Sequence, residues 1–80
     1  MPSKSEINLI GVVWPVCLLK CNSELNRLNE GEEVDVIVQD PDVLQDLLKI
    51  VERSLEHSVV TFQEKNHYRI HIRKLELQST

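Results

Sequence analysis

The stretch "EVDVIVQDPDVLQDLLKIVERSLEH", residues 33–57, decides the fold because its hydrophobic rhythm changes once, near the middle. Up to Gln39 the chain alternates, with Val34, Val36 and Val38 on one side and Asp35, Ile37 and Gln39 on the other. That is the period of two expected of a half-buried strand. From Asp40 the period becomes helical. Asp40 suits an N-cap, and Pro41 suits the first helical position, where its missing N–H costs nothing. Leu44, Leu47, Leu48, Val51 and Leu55 then form one apolar stripe.

Working outward, "EINLIG" reads as a first strand ended by Gly11. From Pro15 the apolar positions Leu18, Cys21, Leu25 and Leu28 recur at helical spacing, with Lys20, Ser23 and Arg27 opposite, until "NEGEE" supplies a stop at Gly31. This predicts a helix over about 15–29. Downstream, "SVVTFQE" and "YRIHIRKLEL" read as two strands joined at Lys65-Asn66, a short polar connection suited to a hairpin. Residues 1–5 and 77–80 are expected to be unstructured.

The order is therefore βαβαββ, with parallel crossovers and a final hairpin. The expected fold is a two-layer α/β sandwich, a mixed four-stranded sheet with two helices on one face. It forms a single domain over residues 1–80 with its core at about 6–75. The uncovered face would carry Asn8, Ile10, Asp35, Ile37, Gln39, Val59, Thr61, Arg69, His71 and Arg73. Ile10, Ile37 and Val59 there mark either a protein contact or ordinary scattered aliphatics.

Eighty residues allow one modest core and room for one site. The 13 acidic against 9 basic residues, with one each of Trp, Tyr and Phe, argue against a nucleic-acid partner, which needs clustered cations and stacking rings. Two cysteines are too few for a disulfide framework and suggest reduced thiols in a cytoplasmic protein. The run "INLIGVVWPVCLL" is interrupted by Pro15 and lacks a small-x-small cleavage site. No run approaches the ~20 apolar residues of a membrane-spanning helix.

The candidate chemistry lies in "GVVWPVCLLKC", residues 11–21. Cys17 falls in the first turn of the helix, where orphan N–H groups and the helix dipole favour a thiolate, so it is the candidate sulfur nucleophile. Its position at the edge of the apolar stripe suits an inert packed thiol better. Cys21, in mid-stripe, reads as core, and a Cys17–Cys21 disulfide within one helix would be strained. His67 and His71 are ~13 Å apart along one strand face, too far to chelate one ion, so neither metal nor cofactor is expected. His57 reads as a favourable residue at the end of the second helix. Arg69, His71 and Arg73 form a positive stripe on the open face, either a dock for an acidic partner or a solvated face balanced by Asp35.

With "GVVWPVC", "LNEGEEVDVIVQDP" and the closing "YRIHIRK" in place, the chain resembles the TusA/SirA-like sulfur-carrier family over about Ile7 to Lys74. Gly11, Pro15, Gly31 and Asp40-Pro41 fall at the family's intervals. The resemblance implies the same βαβαββ sandwich, similar to the C-terminal domain of a translation initiation factor. It also implies a relay protein that takes persulfide sulfur from a cysteine desulfurase and passes it to an acceptor. The family motif Gly-x-x-Cys-Pro-x-Pro departs here at its key residue: Trp14 stands where the resemblance places the carrier Cys, and Cys17 where it places the second Pro. An indole forms no persulfide. One expectation is therefore a degenerate member, with no catalytic activity of its own, that binds or regulates sulfur-relay proteins through Gly11, Trp14 and Pro15. Another is a carrier whose thiol has moved to Cys17. A third, resting on fold analogy alone, is an RNA-binding module.

Overall fold

The computed structural model describes residues 4–76. Its elements are β1 (Lys4–Asn8), α1 (Val16–Arg27), β2 (Glu33–Val38), α2 (Pro41–Glu52), β3 (His57–Gln63) and β4 (Tyr68–Lys74). The sheet order is β1-β2-β4-β3, with β1 parallel to β2 and β4 antiparallel to both of its neighbours. Both crossovers pass over one face, which gives the two-layer mixed sandwich expected from the sequence. The first strand begins earlier than expected: Lys4 and Ser5 pair with Glu33 and Val34. Residues 1–3 and 77–80, read as unstructured, lie outside the described residues.

The core forms between the helices and the inner sheet face. Val34, Val36 and Val38 of β2 stand beside Ile72, Ile70 and Tyr68 of β4 in register, and Leu44, Leu47 and Val51 of α2 close over them. From α1 the inward residues are Cys17, Cys21 and Leu25, followed by Leu28 just beyond its end. Leu18, expected in the stripe, is only half-buried, because Cys17 and Cys21 stand one turn apart directly under Leu25 and Leu18 sits a step round the helix.

α2 ends sooner than its sequence suggests. It stops at Glu52, and Leu55, read as part of the stripe, is 90% exposed in the following turn. Ser54 competes with the helix there: its Oγ accepts from the Glu56 N–H and lies 2.7 Å from His57 Nδ1. His57 therefore opens β3 and does not cap the helix. Burial lowers its pKa, with the Lys74 charge acting in the same direction.

At the start of α2 the expectation holds. The Asp40 carboxylate accepts from the Asp42 N–H at 2.8 Å, with Pro41 opening the helix. Asp40→Ala is expected to destabilise by about 1 kcal/mol in chemical denaturation, the usual cost of a lost N-cap.

The phase of β3 is opposite to the one read from sequence. Val59 faces the helices opposite Ile72, whereas Val60 and Phe62 lie on the open face opposite His71 and Arg69. Thr61 likewise lies on the helix side, opposite Ile70.

Candidate functional site

The segment between β1 and α1 is held at both ends and open in the middle. Leu9 is buried and its N–H donates to the Ile37 carbonyl at 2.8 Å, while the Asn8 side chain accepts from the Ile10 N–H. Gly11 then adopts φ +81°, a conformation that side chains resist, and turns the chain back toward the helix. Val12 remains half-buried against the core. Val13, Trp14 and Pro15 emerge, with Trp14 45% exposed, as its place ahead of the proline implies. The Trp14-Pro15 peptide bond is cis. Val16 and Leu19, one turn apart on the outer side of α1, extend this apolar surface.

Pro15 occupies the N-cap of α1, and no side chain caps the helix. The Cys17 N–H donates back to the Val13 carbonyl at 3.1 Å, so it is committed to the main chain and does not face an incoming anion. The Cys17 side chain is 0% exposed, in the centre of the core cluster and not at the edge of the stripe. Cys21 lies directly beneath it, and burial, with Cys17 nearby, pushes its thiol pKa up to about 11. Both are free thiols. The helix tip thus presents an indole to solvent and keeps both sulfurs inside.

Arg69, His71 and Arg73 lie together on the open face, as their alternation predicts, but not as a free positive stripe. Asp35, only 2% exposed, is the hub. The Arg69 Nη1 donates to Asp35 Oδ2 at 2.8 Å and to Glu6 Oε2 at 3.0 Å, and its Nε donates to Glu64 Oε1 at 2.9 Å. His71 bridges Asp35 and Glu33 through its two ring nitrogens, at 2.6 and 2.8 Å. His67 lies 3.0 Å from Glu64. These bonds raise the Arg69 pKa, Glu6 contributing most, and the Arg69 bond holds the Glu64 carboxyl below its usual range. Arg73 is exposed, between Glu33 and Ser58 in register. The carboxylates of Glu6, Asp35 and Glu64 thus engage Arg69, and those of Glu33 and Asp35 engage His71.

Sequence reasoning missed several residues here. Asp35 reads as a solvent-facing residue of an alternating strand, although β2 is buried on both faces. Val13 and Leu19 belong to the exposed tip without belonging to any motif. Among the described residues, no group of three or more His, Cys, Asp or Glu side chains could hold a metal ion, and no helix is long and apolar enough to cross a membrane.

A βαβαββ sandwich with a proline-marked helix start beside the end of β1 is the architecture of a small sulfur-carrier domain, and residues 5–74 match the family model described as Sulfurtransferase TusA. The chain belongs to the TusA family. It is 29% identical over 69 residues to a candidate sulfur carrier protein of Methanocaldococcus jannaschii, a match that covers 86% of this chain and 92% of that protein. Its fold is similar to the crystal structure of a SirA-like protein from Desulfitobacterium hafniense, with a TM-score of 0.75 at 23% identity over 90% of this chain and 99% of that one.

Proposed function

We propose that this TusA-family chain serves sulfur trafficking as a docking or regulatory partner of sulfur-transfer proteins and does not carry sulfur itself. One observation supports this above the others: the exposed side chain at the family's carrier position is the Trp14 indole, while Cys17 and Cys21 are both buried. A persulfide forms when a thiolate attacks donor sulfur, which requires both ionisation and access. Cys21 is denied both, and Cys17 is denied access. What the tip offers is binding area: a rigid, half-exposed indole flanked by Val13, Val16 and Leu19 has the character of an interface anchor. The partner chemistry that fits is a sulfur-relay protein, such as a cysteine desulfurase or a persulfide acceptor.

The test uses a cysteine desulfurase with its cysteine substrate. Intact-mass measurement is expected to show no sulfur adduct on the chain, and iodoacetamide is expected to label the two native thiols slowly. Titration of the desulfurase, followed by the emission of the single tryptophan, is expected to show binding. In a labelled-protein assay Trp14→Ala should weaken that binding by about thirtyfold, the ~2 kcal/mol of a hot-spot residue. A persulfide on Cys17 would overturn this reading in favour of a relocated carrier thiol.

A further inference from the structure

Among the described residues β3 is an edge strand, and its outer edge is unusual for what it lacks. Its sequence, "HSVVTFQ", contains no Asp, Glu, Lys, Arg, Pro or Gly. Its register with β4 runs unbroken from His57 to Gln63, without a bulge. Charges, prolines and bulges are the devices by which soluble proteins keep sheet edges from pairing. The opposite edge, β1, has Lys4 and Glu6 in five residues.

Two hydrogen bonds fix which main-chain groups of β3 point outward. The Leu75 N–H donates to the Glu56 carbonyl and the Glu64 N–H to the His67 carbonyl, so even-numbered positions bond to β4. The N–H and C=O groups of His57, Val59, Thr61 and Gln63 are therefore directed away from the sheet. On the open face, Val60 and Phe62 are each about half exposed.

We infer that this edge pairs with the same edge of a second copy of the chain, antiparallel about Val60. That register sets Val59 opposite the partner's Thr61 and His57 opposite the partner's Gln63, so all four outward-facing positions exchange hydrogen bonds. Val60 meets the partner's Val60 on the two-fold axis, in a non-hydrogen-bonded pair where side chains approach most closely. Phe62 and Val60 of both copies then form one apolar strip on the open face of a continuous eight-stranded sheet. No like charges meet within the strand. Only at its ends does Glu56 face the partner's Glu64, whose carboxylate Arg69 and His67 already hold. The interface is isologous and closes on itself, as a two-fold dimer requires.

Sedimentation equilibrium over a concentration series is expected to show the wild-type chain as a monomer–dimer equilibrium. Val60→Lys places like charges on the axis and is expected to leave only monomer. Thr61→Pro removes an outward N–H without touching the ladder to β4, and is expected to do the same. Circular dichroism should show both variants folded, and if Thr61→Pro does not fold, Val60→Lys decides alone. Glu56→Lys, which faces the partner's Glu64 with a cation, is expected to tighten the dimer, and Trp14→Ala to leave it unchanged. A chain that stays monomeric throughout, a dimer indifferent to Val60→Lys, or a dimer lost in Trp14→Ala would each overturn the inference. So would a β3 edge that accepts a strand only from a different protein.

Discussion

Replacing Arg69 with Met is expected to destabilise the domain, because it takes a charge partner away from a buried carboxylate. The guanidinium itself is partly exposed, but the carboxylate it serves, Asp35, is almost wholly buried. The change removes the guanidinium from Asp35, Glu6 and Glu64 at once. A domain of this length has roughly 4 to 12 kcal/mol in total, so the loss should appear as a large drop in the urea midpoint at neutral pH. The deficit should also narrow in acid. Folding holds Glu64 below its ordinary value of 4.5, chiefly through the Arg69 hydrogen bond. The resulting stabilisation is present above pH 4.5 and is lost as the pH falls through the folded-state value. The variant lacks that contribution from the outset, so the two urea midpoints should lie closer at about pH 3 than at neutrality. A gap independent of pH would mean that Arg69 acts through packing alone.

Leu47→Ala is expected to cost about 2 to 5 kcal/mol, the range for a fully buried leucine cut back to a methyl group. Leu47 lies at the middle of α2 and faces the valines of β2, where a cavity has least freedom to collapse. Leu55→Ala should change stability by no more than about 0.5 kcal/mol. The two residues occupy the same apolar stripe in the sequence, so thermal melts of the pair measure where α2 ends. Equal losses at both positions would carry the helix about one turn further than Glu52.

What the sequence revealed and what it hid follow from the range of each interaction. α2 was legible because Asp40, Pro41 and the leucine spacing are local signals that agree. Its end was not, because "ERSLEH" carries no glycine and only the Ser54 hydroxyl, turned onto the following backbone and His57, interrupts it. In β3, Val59 and Val60 are adjacent and identical, so alternation could not say which faces inward; pairing with Ile72 and His71 decides it. Asp35 was placed on the right face beside Arg69 and His71, but its burial was not legible. Its environment is made by Arg69 and His71, more than thirty residues away, and no pattern within β2 announces them. At the tip, the exposure of Trp14 could be read from its proline, whereas the full burial of Cys17 depended on the exact phase of α1.

The position of β4 bears on how the chain is made. The last strand in sequence lies second from the edge in space, between β2 and β3. When β3 leaves the ribosome it has no strand to pair with, and β2 has only β1. The sheet remains in two pieces until Tyr68–Lys74 emerges and joins them. Folding of this domain is therefore completed only once β4 is available to join the two pieces, when its most distant contacts can first form, and a chain stopped short of Tyr68 holds two helices with no closed sheet to cover.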